Sequence, residues 1–351
     1  MGIGASNRIQ LANMKILFAL PGHLKTVPMG QFCVEALTEL GHTVIPFDFS
    51  TSLRDKLLDR WTAFTGLSDQ EARPSTNGHL RNLIDDTQPD LFIALFGFDI
   101  SKQSLAYLKQ KRISSACWWI NDPFQFQRSL KQAPYYDLIF SNSVGSVEQY
   151  RAAGIKHAYF LPTACHPALH RPVLAKAKYR CDVCFAGDWS PLRERVLTGL
   201  AELFDVKIFG PWRKKLAADS KLHRNLTDGF FTPDEMAQMF SSAKIVFNIH
   251  TWYGTHDHGV NPRLFEAAGC GAFQVVDWKQ EIPTLFDCDT EVKCYRTLDE
   301  IAPLITQGLA SAETRQAMAK AAHRRAYGEH TYRHRMQKLL ETAAKANSDH
   351  S

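Results

Sequence analysis

Along most of the chain, short apolar runs alternate with stretches whose apolar positions recur at helical spacing. Residues 14–20 (Met-Lys-Ile-Leu-Phe-Ala-Leu) form an apolar run that stops at Pro21-Gly22-His23. A helical stretch at 32–40 is closed by Gly41-His42, and a second run follows at 43–47. This is the opening β-loop-α-β of a parallel sheet. The pattern predicts further strands at 90–95, 114–120, 137–141 and 157–161, with helices at 71–85, 101–109 and 144–153. Strands apolar throughout, flanked by amphipathic helices, belong to a sheet covered on both faces.

Pro162, Pro167 and Pro172 then break both helix and strand, and the alternation restarts beyond them. Strands are predicted at 182–186, 206–209, 245–249, 272–276 and 292–295, and helices at 192–204, 233–240, 262–268 and 298–309. Two long helices, 311–326 and 330–343, close the pattern. The domain plan is a flexible leader (1–13), an N-terminal Rossmann-like domain (14–165), a linker (166–180) and a C-terminal Rossmann-like domain (181–328). A terminal helix and tail (329–351) is expected to pack back on the N-domain. The fold class is α/β, two doubly wound parallel-sheet domains facing across a cleft. Ligands of such sheets bind beyond the carboxyl ends of the strands, so the chemistry is expected in the loops there.

Composition adds little to this picture and removes several alternatives. At 351 residues, 45% hydrophobic and 22% charged, the chain has ordinary globular values and apolar material for two cores. A net charge of +5 leans weakly toward anionic partners, compatible with transient contact with a membrane surface. It is not the concentrated basic stripe of a nucleic-acid binder. No apolar run reaches transmembrane length and no signal peptide precedes residue 14, which points to the cytoplasm. The Met1-Gly2 start matches a myristoylation pattern that arises easily by chance. Cys181 and Cys184 form a CxxC, but no second close pair completes a zinc site, so the eight cysteines read as core thiols in a reducing compartment.

The most informative stretch is the strand at 245–249, the polar loop behind it, and a helix entered through Gly259-Val260-Asn261-Pro262-Arg263. Proline suits the first turn because its missing N–H would be unpaired there. Gly259 lets the backbone approach a ligand, and a helix N-terminus favours negative charge. Arg263 adds a forked cation suited to phosphate oxygens, in preference to pairing with Asp257 or Asp277. Glu266, one turn on, is placed to accept hydrogen bonds from a ribose diol. Diphosphate at the helix start and ribose below it describe a nucleotide-sugar site.

The run Gly259-Val260-Asn261-x-Arg263-x-Phe265-Glu266-Ala267-Ala268-x-Cys270-Gly271-Ala272 resembles the CgeB-like (spore-maturation-type) glycosyltransferases, relatives of the family 4 and family 1 GT-B enzymes. Trp118-Trp119-Ile120-Asn121-Asp122-Pro123, Gly187 with Arg193 or Arg195, and Glu329-His330-Thr331-Tyr332 support it in order, so the resemblance spans residues 14–340. It implies a GT-B-type fold and a transferase that moves a sugar from a UDP- or GDP-sugar to an acceptor hydroxyl. The acceptor is a glycan, protein or small molecule that the residues do not specify. The resemblance implies no obligatory metal and no cofactor beyond the nucleotide-sugar co-substrate. Many family 4 enzymes carry a second glutamate eight positions before the ribose glutamate, where this chain has His258. The sugar-facing role therefore does not carry over directly, and the stereochemical outcome stays open.

The remaining candidates follow from position. His250, His256, His258 and Asp257 lack helical zinc spacing and are expected to line the sugar-phosphate pocket instead of a metal site. Tyr253, in the same loop, is a candidate floor for the sugar. Gly187 and Arg193 form a second candidate phosphate contact, with Ser190 as a helix cap. In the N-domain, Asp122 is the first choice for the acceptor base and His23 the second. Two rivals remain: a nucleotide-sugar epimerase on the same scaffold, and a catalytically silent nucleotide-sugar or glycan-binding protein. The Pro21-Gly22-His23-Leu24 turn lacks the glycine fingerprint of a nicotinamide dehydrogenase.

Overall fold

The computed structural model describes residues 13–21, 28–49, 73–228 and 231–348. The first sheet contains β1 (Lys15–Leu20), β2 (Thr43–Asp48), β3 (Leu91–Leu95), β4 (Ser114–Trp119), β5 (Leu138–Ser141) and β6 (Ala158–Phe160). Its helices are α1 (Met29–Glu39), α2 (Pro74–Thr87), α3 (Lys102–Gln110), α4 (Phe126–Gln132) and α5 (Val144–Ala152). The second sheet contains β7 (Cys181–Ala186), β8 (Val206–Gly210), β9 (Leu226–Asp228), β10 (Ala243–Asn248), β11 (Gln274–Asp277) and β12 (Lys293–Tyr295). Around it lie α6 (Pro191–Leu203), α7 (Pro233–Ser242), α8 (Arg263–Gly269), α9 (Ile282–Leu285), α10 (Ile301–Ala310) and α11 (Ala312–Glu329). A last helix, α12 (Tyr332–Ser348), ends the described chain.

Both sheets are parallel throughout, in the orders β2-β1-β3-β4-β5-β6 and β12-β11-β10-β7-β8-β9. Each order reverses once, between β1 and β3 in the first sheet and between β7 and β10 in the second. Those reversals open a crevice at the strand carboxyl ends. β3 is buried along its whole length, as a sheet covered on both sides requires.

The predicted elements lie within a few residues of the observed ones, with three exceptions. β9 is a three-residue edge strand, α9 a four-residue helix, and α4 a seven-residue helix. None is long enough to show a hydrophobic period.

Each sheet carries an apolar core on either face. The core on one face of the first sheet is completed from the far end of the chain. Tyr332, Met336, Leu339, Leu340, Ala343 and Ala346 of α12 pack with Ile16, Phe18, Phe32 and Trp118. Burying each of the larger side chains contributes about 1.5–3 kcal/mol, so α12 is part of the N-domain's core. The chain therefore crosses between domains twice. The two crossings are pinned together, Cys165 N–H donating to the His330 carbonyl at 2.9 Å and Tyr332 N–H to the Cys165 carbonyl at 3.2 Å.

Cys181 and Cys184 are both buried in β7, and burial pushes the Cys181 thiol up to about 12. Among the described residues, no helix is long and apolar enough to cross a membrane.

Candidate functional site

The crevice between β7 and β10 is lined by the segments 187–190 and 249–262. The second of these is pinned at many points. His250 is buried, and its Nε2 accepts from the Asn261 N–H at 3.0 Å, so its Nδ1 carries the proton that bonds Asp277 at 2.6 Å. Burial holds His250 below its ordinary range in spite of that carboxylate. For Asp277 burial acts upward, but His250 and Lys279, the latter 3.0 Å away, bring it below the usual carboxylate range. Lys279 also donates to the His256 carbonyl at 2.8 Å, and Trp252 donates to the His258 carbonyl at 3.0 Å. Asn261 and Asn248 exchange side-chain amide hydrogen bonds at 2.8 and 3.0 Å. The segment is held in one shape before any ligand arrives.

The turn Gly259-Val260-Asn261 was expected to offer its amides to a diphosphate. Here each amide already has a protein acceptor. Gly259 N–H donates to Glu281 Oε1 at 2.7 Å, Val260 N–H to the Asn142 carbonyl at 3.3 Å, and Asn261 N–H to His250. Asn142 belongs to the N-domain, so the turn forms the seam between the domains. Asn142 Nδ2 returns a bond to the Val260 carbonyl at 2.9 Å, and Ser143 Oγ lies 2.7 Å from His258 Nδ1. Glu281 spans the same seam, accepting from Val144 N–H at 2.8 Å as well. Gly259 has φ +85°, and a Cβ there would stand 2.4 Å from Pro123 Cδ. Only glycine allows the domains to approach this closely.

Glu281, Asp277 and Lys279 were absent from the sequence-derived site. The signal was present: three charged residues spaced two apart, beginning with the last residue of β11. Ions are rarely buried there without a partner.

Arg263 and Glu266 are brought together, though not as separate contacts. Glu266 is fully buried and its Oε2 accepts from Arg263 Nη1 at 2.5 Å, while Oε1 has no hydrogen-bond donor. Burial raises the Glu266 carboxyl, and Arg263 offsets part of that. Arg263 also leans on Met236 Sδ at 3.0 Å and over the rings of Phe231 and Phe240. Its partner is thus Glu266, and neither Asp257 nor Asp277.

Arg193 corrects the expectation of a second phosphate contact. Its guanidinium is buried and donates to the Ile249 carbonyl through Nε at 3.2 Å and Nη2 at 2.7 Å, and to the Asp188 carbonyl at 2.9 Å. It ties the two crevice segments together, with three of its five N–H donors given to backbone carbonyls. Burial lowers it to about 10, so it remains charged at neutral pH. Gly187 shares this role: its N–H donates to the Phe209 carbonyl, and its own carbonyl accepts from Trp212 at 2.8 Å. Ser190 caps α6 as expected, accepting from Arg193 N–H at 3.3 Å. Tyr253 is tethered away from the turn, its hydroxyl on the Arg296 carbonyl at 2.9 Å. His256 sits beside His258, ring centroids 5.3 Å apart. Among the described residues, no group of three or more His, Cys, Asp or Glu is placed to hold a metal.

On the N-domain side, His23 lies outside the described residues. Asp122 is only 1% exposed, and its carboxylate accepts from Ser129 Oγ, Ser141 Oγ and Tyr150 OH at 2.8, 2.8 and 2.9 Å. Both of its oxygens are thus already taken by protein hydroxyls. Asp122 anchors the strand ends instead of facing the cleft, which corrects its assignment as a base.

Burial pushes the Asp122 carboxyl from 3.8 up to about 6, the three hydroxyl donors offsetting part of the rise. A carboxyl raised in the fold contributes stability that is full below its unfolded value and is lost as pH rises through its folded one. Wild type should therefore lose about 1.4 kcal/mol per pH unit relative to Asp122→Asn between those two values. Urea midpoints of both proteins across that range test this. A constant difference would show that the carboxyl titrates normally.

Residues 192–341 match the family model described as "Glycosyl transferase-like". The spore protein CgeB of Bacillus subtilis (strain 168) is 25% identical over 207 residues, covering 55% of this chain and 65% of that protein. Among solved structures, a sucrose-phosphate synthase from Thermosynechococcus elongatus superposes with a TM-score of 0.67 at 12% identity, over 96% of this chain and 100% of that one. Anabaena HepE in complex with UDP-glucose superposes with a TM-score of 0.65 at 14% identity, over 95% and 100%. The chain is thus similar in sequence to CgeB and, over residues 192–341, to a glycosyl transferase-like family, and it shares the two-domain GT-B fold of these solved structures.

Proposed function

We propose that this chain transfers a glycosyl unit from a uridine-diphosphate sugar, held by the C-domain, to an acceptor hydroxyl presented by the N-domain. One observation carries the donor assignment: Glu266 Oε1 is a buried carboxylate oxygen with no donor, in the helix that follows the pinned segment. A ribose hydroxyl supplies that missing donor. The HepE complex supports uridine as the nucleoside. The diphosphate gains the Gly259 and Val260 amides when the seam opens and Glu281 and Asn142 release them. His258 lies eight positions before Glu266, where the resemblance to family 4 enzymes would place a sugar-facing glutamate. Burial, then His256 and Lys279, hold its pKa below the ordinary histidine range, so it is neutral at pH 7 and is assigned as the base for the acceptor hydroxyl.

Calorimetry with UDP, GDP and UDP-glucose tests this reading. UDP should bind, and Glu266→Gln should weaken it by about 1.5–3 kcal/mol, roughly 10–100-fold. Product analysis separates transfer from epimerisation of the donor. An intact chain that binds none of the three nucleotides would overturn the assignment.

A further inference from the structure

The N-domain has its own crevice, at the reversal between β1 and β3, and it contains a cavity of about 250 Å³. One wall is the segment 121–125, of which Asn121 and Gln125 line the cavity. Pro123 of the same segment packs against Gly259, so the segment that walls the cavity also forms part of the seam beside the proposed donor turn.

Its polarity is lopsided. Two arginines, Arg73 and Arg128, face it with one carboxylate, Asp99, which Arg73 engages at 3.4 Å. Arg128 has no carboxylate partner among the described residues. Its guanidinium lies 3.8 Å above the ring of Phe98, which holds the plane face-on and leaves the N–H edges available. Asn121 Nδ2 bonds Gln125 Oε1 at 3.3 Å, so the side-chain oxygen Oδ1 of Asn121 and the amide Nε2 of Gln125 remain to meet hydroxyls. The cavity rim is also held in unusual backbone geometry. Phe96, not a glycine, has φ +68°, and Gly97 is crowded so closely that a Cβ would stand 2.5 Å from Cys117 Sγ. Non-glycine residues keep such conformations at a cost of about 1–3 kcal/mol and concentrate at ligand sites.

We propose that this cavity holds the acceptor and that the acceptor carries an anionic group, a phosphate or a carboxylate, beside its hydroxyls. The inference rests on the glycosyltransferase reading and adds the acceptor's chemical class to it. Arg128 takes the anion in a charge-assisted fork, Asn121 and Gln125 read the hydroxyls, and the volume suits one sugar-sized head group. A neutral sugar would leave the Arg128 fork unpaired.

The test is calorimetry on the intact chain with glucose 6-phosphate, glucuronate and glucose, each titrated in the presence of saturating UDP. At least one anionic probe should bind about tenfold or more tightly than glucose. Glucose 6-phosphate against glucuronate tells phosphate from carboxylate. Arg128→Gln should abolish the preference, and Arg128→Lys should restore part of it. Glucose binding as tightly as both anionic probes, all three failing to bind at millimolar concentration, or an unchanged preference in Arg128→Gln would overturn the proposal. UDP titrated into the same preparations keeps the two readings apart. If UDP binds and the anionic probes do not, the acceptor inference fails alone; if none of UDP, GDP and UDP-glucose binds, the glycosyltransferase reading fails.

Discussion

Arg263→Ala should unfold at a markedly lower urea concentration than the wild type, with a loss of about 3–5 kcal/mol. Among the described residues, Arg263 is the one cation bonded to Glu266, a buried carboxylate in the first turn of α8. Breaking such a pair from one side strands a buried charge, which costs far more than the pair itself contributes. The double variant Arg263→Ala/Glu266→Gln removes that charge and should recover most of the stability. On the proposed ribose contact at Glu266, UDP affinity should fall in the single variant and stay low in the double one. Equal midpoints for wild type and Arg263→Ala would show that water or another group already compensates Glu266.

The second large effect is expected at the seam. Glu281→Ala should cost about 2–4 kcal/mol, because it leaves the Val144 and Gly259 amides without their acceptor in a buried place. Glu281→Gln keeps an acceptor oxygen and should cost less. Since one of these amides belongs to each domain, the alanine variant should also open the cleft, raising the radius of gyration in small-angle scattering. A wild-type midpoint and an unchanged radius in Glu281→Ala would show that the bridge carries no weight. If the proposed donor site at Gly259 and Val260 holds, donor binding has to drive this opening, because both amides are taken in the closed seam.

Local patterns reached a long way in this chain, and they stopped at partners distant in sequence. The alternating domains were legible because strands buried on both faces are apolar throughout and helices keep their period. The helix carrying Arg263 and Glu266 was legible because Pro262 marks its first turn. What each group touches was not. The Gly259 amide finds its acceptor at Glu281, and the Val260 amide at Asn142 in the other domain. The Asp122 carboxylate is enclosed by hydroxyls from α4, from β5 and from α5. An aspartate at a strand end before proline looks the same on paper whether it faces a cleft or three hydroxyls. Arg193 shows the converse: a basic residue in a first helical turn suggests phosphate, but two backbone carbonyls, Ile249 and Asp188, claim its fork.

The return of α12 to the first sheet bears on how the molecule is made. Ribosomes deliver the N-domain's strands early, yet the side chains that finish one of its faces, from Tyr332 to Ala346, arrive only after the whole C-domain has been translated. Until then Ile16, Phe18, Phe32 and Trp118 present an uncovered apolar surface, so the nascent N-domain cannot mature on its own schedule as most leading domains do. A fragment ending at residue 165 is expected to need a chaperone or to aggregate, and supplying residues 330–348 as a separate peptide is expected to rescue it.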